Sequence, residues 1–398
     1  MIAELPLTMF VVFSVAKALE EGCERIGLPA VVGPILAGIA LGPGLLGYVQ
    51  PNELLNAFSE LGVMFLLFQV GLDVKARDLL QVGGTATVTA LLGVVFPFAM
   101  GYGICTAWGF NSIEAIFAGA AMVATSVGIT AKVLAGMGLL GQRSAKIILA
   151  AAVIDDVIGL LVLAVVSGLA KGGVNYVELA VTAGLAVGFT ALIAGFGSHA
   201  AGHVVRRSES LRVAESEFTV AMVLLFGLAV LSSKIGVAAI VGAFLAGMAL
   251  SESVSRRVHD LAYGVSELLV PFFLAGIGLH MDIAIFGQTS TLTLGLVILA
   301  AAVVSKVVGC GLGCVNLGAA EALRVGVGMV PRGEVGMVVA QIGLGLGVIG
   351  KEIYGVTVFM AIATTIVAPT LLKWTYRGVA PAGKLAGGAE SAARASSQ

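Results

Sequence analysis

Apolar residues fill this chain in long blocks, interrupted by short polar or Gly/Pro-containing breaks. That is the pattern of a polytopic helical membrane protein, not of one-sided surface helices or alternating strands. Cutting at the breaks predicts about 13 spans long enough for a hydrocarbon core about 30 Å thick. They cover residues 2–20, 28–47, 54–72, 84–108, 113–133, 145–170, 176–203, 216–233, 235–251, 263–282, 290–314, 318–345 and 352–376. Only Ser232, Ser233 and Lys234 separate the eighth from the ninth. The first span lacks a cationic leader and a small-residue cleavage site and reads as a retained helix. From about residue 378 the chain is Ala, Gly and Ser without apolar periodicity, so a disordered tail is expected, with no soluble nucleotide-binding domain after the spans.

Composition agrees with the blocks. Of 398 residues 59% are hydrophobic and only 11% charged, against about 25% charged in soluble domains. The mean hydropathy is +1.06. An ordinary soluble enzyme is excluded. The formal net charge of −1, without a basic patch, excludes a nucleic-acid partner as well. Cys23, Cys105, Cys310 and Cys314 lack metal-ligand spacing and read as small packing residues.

Basic residues orient the spans. Fifteen Lys and Arg fall on one side (Arg25, Lys75, Arg77, Arg143, Lys146, Arg206, Arg207, Arg212, Arg256, Arg257, Arg324, Lys373, Arg377, Lys384 and Arg394), against three on the other, Lys171, Lys234 and Lys351. The expected topology has the N-terminus outside and the C-terminus in the cytosol, in the cell's inner (plasma) membrane. Lys17, Lys132, Lys306 and Arg332 stay inside spans.

The chain also repeats itself. Ile26–Leu41 laid on Ile235–Leu250 matches at 10 of 16 positions, at an offset of 209. The third and tenth spans pair Phe65, Gly71 and Leu72 with Phe272, Gly278 and Leu279. The fifth and twelfth pair Gly119, Met122 and Val123 with Gly326, Met329 and Val330. Paired spans sit seven helices apart, so the copies cross in opposite senses, the inverted repeat of secondary transporters.

Few charges remain to be explained within the membrane, where each is expensive. Asp155 and Asp156 stand side by side in Val153-Ile154-Asp155-Asp156-Val157-Ile158-Gly159-Leu160. Asp155 lies about ten residues, roughly 15 Å, from the cytosolic end of its span. Lys306 lies at a similar depth in the eleventh span. Neighbouring helical residues point about 100° apart, which suggests one carboxylate paired with Lys306 and the other facing a hydrated cavity; the alternative is a structural Asp–Lys pair with a bystander acid. The segments Ala124-Thr125-Ser126-Val127-Gly128 and Pro331-Arg332-Gly333-Glu334 break the fifth and twelfth spans at corresponding positions. Thr125, Ser126, Arg332 and Glu334 can satisfy the backbone groups that such breaks release, and a compensating role for Arg332 and Glu334 is favoured over direct ion contact. His199, His203 and His259 read as solvated positions near the cytosolic face, with pH sensing as the alternative, and His280 and Asp282 as rim residues.

On the tandem acids, Lys306, the Pro331-Arg332-Gly333-Glu334 run and Ala124-Thr125-Ser126-Val127-Gly128-Ile129-Thr130, the chain resembles the cation/proton antiporter superfamily. Within it the chain is most similar to the second monovalent cation/proton antiporter family and its NapA-type sodium/proton antiporters, over about residues 1 to 376. The resemblance implies an all-α polytopic membrane fold of 13 helices, with inverted-topology repeats and two crossed broken helices, acting as a homodimer. It implies this division: 1–82, an extra N-terminal helix and dimerisation helices; 83–171, core helices of the first repeat; 172–234, linking helices; 235–289, dimerisation helices of the second repeat; 290–377, core helices of the second repeat; 378–398, a disordered cytosolic tail. It further implies Na⁺ at Asp156 with Asp155, a salt bridge from Asp155 to Lys306, and Thr125 and Ser126 at the crossover beside the ion.

The expected function is therefore not enzymatic: exchange of Na⁺, with Li⁺ as a second cargo, for H⁺ by alternating access, electrogenic through the tandem acids and without a cofactor. The alternatives are a K⁺/H⁺ antiporter on the same fold and a sodium-coupled organic-anion symporter. An intramembrane aspartyl protease would need its acids facing each other across a water, which neighbours on one helix cannot do. A channel would find the midplane Lys306 resisting passive cation flow.

Overall fold

The computed structural model describes residues 5–170, 176–208, 215–281 and 287–379. The expected tail, Lys171, Arg212 and Asp282 lie outside them. Among the described residues the regular elements are helices. The first repeat contains α2 (Val32–Leu41), α3 (Glu53–Leu72), α4 (Ala76–Trp108), α5 (Ser112–Ala121), α6 (Val127–Gly136) and α7 (Arg143–Ala170), preceded by α1 (Leu5–Arg25). After α8 (Tyr176–Ser208) and α9 (Ser216–Lys234), the second contains α10 (Ala239–Leu250), α11 (Arg256–Leu279), α12 (Thr289–Leu312), a 3₁₀ turn at Val315–Leu317, α13 (Ala319–Gly328), α14 (Glu334–Gly345) and α15 (Lys351–Thr375).

Each expected span has its helix or helix pair. Among the described residues eight helices are long and apolar enough to cross a membrane unaided. The others are the short α2 and α10, the polar-ended α1, and two pairs, α5/α6 and α13/α14, that each cross as a broken span. The second break has a plain cause in Pro331, which has no N–H to donate and whose ring clashes with the preceding turn. The first has no proline. There α5 starts from a capping box, with Asn111 Oδ1 accepting from the Glu114 backbone N–H at 3.0 Å and Glu114 accepting from that of Asn111 at 3.0 Å. It ends at Ala121, and five residues further on the Ser126 backbone N–H donates to Pro331 O at 2.8 Å.

The repeat reappears in the backbone. The halves of the two broken spans begin at Ser112 and Ala319 and at Val127 and Glu334, 207 residues apart in both cases, the offset at which the sequence aligns Gly119 with Gly326. Gly27 and Gly236, one place after Ile26 and Ile235, both turn the chain at left-handed φ, +83° and +84°. Helix contacts repeat too. A Cβ on Gly38 would run into Ala275 O and one on Gly278 into Ile35 O, joining α2 to α11; the equivalent pair, Gly247 against Phe68 O and Gly71 against Phe244 O, joins α10 to α3. Gly119 on α5 meets Phe98 O of α4 as Gly326 on α13 meets Val307 O of α12. Small residues that let backbones touch are the main source of helix adhesion where lipid supplies no hydrophobic drive.

The helices pack as two sets. The first joins α1, α2, α3, α8, α9, α10 and α11; the second joins α4 to α7 with α12 to α15. The sets meet chiefly where α6 lies against α3, α15 against α2 and α6's neighbour α7 against α8.

Gly71→Val and Gly278→Val are expected to abolish the monodisperse peak in detergent size-exclusion chromatography, because the bulk must go where another helix's backbone stands. Gly83→Ala, which meets open space, is expected to leave the thermal midpoint unchanged or slightly raised.

Candidate functional site

Asp155 and Asp156 sit mid-way along α7, Asp155 with no exposed surface and Asp156 with 5%. The Lys306 ammonium, also fully buried, reaches across from α12 and donates to Asp155 Oδ2 at 3.2 Å. Gly93 of α4 makes room for it: a Cβ there would lie 2.6 Å from Cys310 Sγ and 3.3 Å from Lys306 Nζ. Two charges taken out of water together offset part of each other's desolvation, while one left alone costs about 3–5 kcal/mol. Asp156 points about 100° further around α7.

The crossover is assembled from both repeats. Besides the Ser126–Pro331 bond, Thr125 Oγ1 donates to Met329 O at 3.4 Å and Thr130 Oγ1 to Gly328 O at 2.7 Å. Arg332, fully buried, does the most. Its backbone N–H donates to Thr364 Oγ1 of α15 at 3.1 Å, Nη1 to Val123 O at 3.1 Å and Ala124 O at 3.3 Å, and Nη2 to Ala302 O of α12 at 3.2 Å. One guanidinium thus ties the end of α5 to α12, one turn from Lys306. Gly333 lets Ser126 approach, since a Cβ there would stand 2.7 Å from Ser126 Oγ. The chain direction of α14 starts at Glu334; the Glu334 side chain lies outside the described residues.

Asp155 Oδ1 and Ser126 Oγ are among the buried oxygens of this framework that find no hydrogen-bond partner among the described residues. Buried polar atoms are rarely left so, and both are oxygens of the kind that hard monovalent cations take.

Thr125, Ser126 and Arg332 therefore meet at the crossover, and Asp155 and Lys306 pair beside it. Thr364 and Gly93 were not among the residues expected from the sequence, and Thr130 entered only as the last residue of the Ala124–Thr130 run. The adjacent Thr364 and Thr365, buried in an apolar span, were the available signal for α15. The histidines lie elsewhere: His199 and His203 on α8, His259 near the start of α11, and His280 at its end with Nδ1 2.8 Å from Gly276 O. Cys310 and Cys314 are free and buried, Cys314 Sγ contacting Thr89 Oγ1 at 3.3 Å. A cavity of about 650 Å³ between α4, α5 and α7 is walled by residues such as Val94, Phe98 and Val162 and touches none of the acids.

The family model described as "Sodium/hydrogen exchanger, transmembrane" matches residues 10–378. Similar curated proteins include the Na(+)/H(+)-K(+) antiporter GerN of Bacillus cereus, 33% identical over 88% of this chain and 91% of its own length. Another is the high-affinity Na(+)/H(+) antiporter NhaS3 of Synechocystis, 32% identical over 95% of this chain and 91% of its own. Among solved structures, the sodium proton antiporter MjNhaP1 from Methanocaldococcus jannaschii at pH 8 superposes with a TM-score of 0.67 over 93% of this chain and 96% of that one. At 16% identity that is a likeness of fold.

Arg332→Met orphans carbonyls at Val123 and Ala124, at about 1–3 kcal/mol each. It is expected to lower the thermal midpoint in detergent sharply, with Arg332→Lys falling between it and the wild type because an ammonium cannot span α5 and α12 together.

Proposed function

The chain belongs to the sodium/hydrogen exchanger family, and from that premise we propose how it carries out Na⁺/H⁺ antiport: alternating access to one site built on Asp156 and Asp155. The observation that carries this reading is the buried Asp155–Lys306 pair standing beside a crossover whose Ser126 Oγ, like Asp155 Oδ1, is buried without a hydrogen bond. Carboxylates and neutral oxygens are the donor set for a partly dehydrated Na⁺ or Li⁺.

In the cycle, Na⁺ binds Asp156, with Asp155, Thr125, Ser126 and water supplying further oxygens. Its charge takes the place of the Lys306 ammonium at Asp155. One proton leaves Asp156 and one leaves Lys306, so two protons are exchanged for one Na⁺ and the step is electrogenic. After the site turns to the other face, two protons return and expel the cation. Coupling needs only mutual exclusion: the site carrying two bare carboxylates is too costly to move through a low dielectric.

The moving part in this reading is the second helix set, α4 to α7 with α12 to α15, which holds every residue of the site. The first set is the stationary part and the homodimer contact. The protein is a multi-pass membrane protein; we place it in the plasma membrane with its N-terminus outside, on the excess of Lys and Arg along one side.

In proteoliposomes with an imposed pH gradient, Na⁺ and Li⁺ are expected to dissipate the gradient and K⁺ to do so less, faster when the membrane potential favours net charge movement. The name of the Bacillus cereus relative includes K⁺, which makes the K⁺ arm informative. Asp156→Asn is expected to abolish exchange; a wild-type rate in that variant would end this reading.

Lys306→Gln leaves Asp155 buried without its cation and is expected to cost about 3–5 kcal/mol of stability. Removing both charges, in Lys306→Gln with Asp155→Asn, is expected to recover most of the thermal midpoint while exchange loses its dependence on membrane potential. Additive losses in the two single variants would argue against the pair.

A further inference from the structure

Two of the lysines inside spans, Lys17 and Lys132, take no part in the site. Both converge on one carboxylate. Lys132 Nζ of α6 contacts Glu267 Oε1 of α11 at 2.6 Å, and Lys17 Nζ of α1 contacts Glu267 Oε2 at 3.1 Å and Glu20 Oε2 at 3.0 Å. Lys132 belongs to the second helix set; Glu267, Lys17 and Glu20 belong to the first. The cluster therefore bridges the two bodies.

Its position is a constriction. On the side rich in Lys and Arg a cavity of about 450 Å³ opens between the sets, walled by Glu24, Leu28, Val31, Lys132 and Lys373. Val31 and Lys132 also wall an adjoining space of about 10 Å³, bounded by Lys17, Glu20, Glu267 and Pro271, which we read as the cavity's neck. That neck holds no more than one water. Beyond it, α6 leads back to the crossover: Lys132 is six residues from Ser126, about 9 Å along the helix, and Gly128 between them packs against Val63 and Phe273. Among the described residues, the other salt bridges between the sets, from Lys75 and Arg77 to Glu252 at 3.5 and 3.3 Å, are well exposed. The Lys132–Glu267 pair is less so, at 21% and 30%, yet water still reaches it.

We propose that Lys132 and Glu267 form the gate between this cavity and the crossover site: the ion pair closes the neck in the arrangement seen here and must part in each cycle. Lys17 and Glu20 hold Glu267 in place. When Lys132 withdraws with the second helix set, the Glu267 carboxylate is left facing the opened neck, where an entering hydrated cation replaces the ammonium. The gate rests on the alternating-access reading above, because a fixed assembly would have no step in which the pair opens.

The test uses the full-length protein in oriented proteoliposomes, with Na⁺ presented in turn on each face. Glu267→Gln and Lys132→Met are each expected to change the apparent KM for Na⁺ on the cavity side by about fivefold or more, with KM on the opposite face within twofold of wild type. The double variant is expected to match the single ones, and Glu267→Asp to retain most of the wild-type behaviour. A purely structural pair would instead affect both faces equally, and that result overturns the gate; so do wild-type KM and turnover in both single variants, or additive effects in the double. If either single variant fails to fold, Lys132→Cys with Glu267→Cys in a background without the four native cysteines provides the measurement. A short bifunctional thiol reagent is expected to stop exchange reversibly, and undiminished exchange after complete cross-linking refutes the proposal. Asp156→Asn run alongside separates the two ideas: exchange surviving there removes the site, whereas a dead Asp156→Asn with unaffected gate variants removes the gate alone.

Discussion

Hydrocarbon supplies no hydrogen bonds, so a helix interrupted inside a membrane is tolerable only where protein replaces the ladder it has lost. Here two helices are interrupted at the same depth, and each answers part of the other's need. The Ser126 N–H finds Pro331 O, and two threonine hydroxyls cap carbonyls of the partner helix. What remains falls to the Arg332 guanidinium, placed where no water can substitute for it. The site depends on this repair. Without it the loops at 122–126 and 329–333 would wind back into helix or collapse, and the oxygens of Thr125 and Ser126 would not be held at the crossover.

A second consequence concerns charge. The repair brings a permanent cation into the centre of the second helix set, near a lysine already paired with Asp155. The two acids on α7 supply opposite charge to this buried group, in which Asp155 is paired with Lys306. In the proposed cycle one Na⁺ enters as two protons leave, so the two loaded forms of this centre differ by one charge, and that difference is what ties exchange to the membrane potential.

Much of this was legible in the residues. Block lengths yielded the spans, the Lys and Arg bias kept them in phase, and a Gly-rich self-alignment at offsets of 207 and 209 foretold helix contacts that the backbone reproduces. The depth match of Asp155 and Lys306 anticipated a contact between residues 151 positions apart. Other features were illegible for physical reasons. Nothing local marks Gly93 as the place where a lysine needs space, because its partner lies on a helix more than 200 residues away. The grip of Arg332 on Ala302 O is equally silent, since a backbone acceptor leaves no trace in residue type. Lys17 and Lys132 looked like isolated charges until α1, α6 and α11 were set side by side.

The glycine contacts between α2 and α11 and between α10 and α3 have a mechanical meaning. Where main chains touch directly, no layer of rotatable side chains lies between them to yield under load. This part of the molecule is accordingly stiff, with little compliance to dissipate a push from its neighbour. In the proposed cycle a stiff abutment would make the travel of the other body well defined, so that a cation is delivered over a fixed stroke and not leaked through a deformable wall.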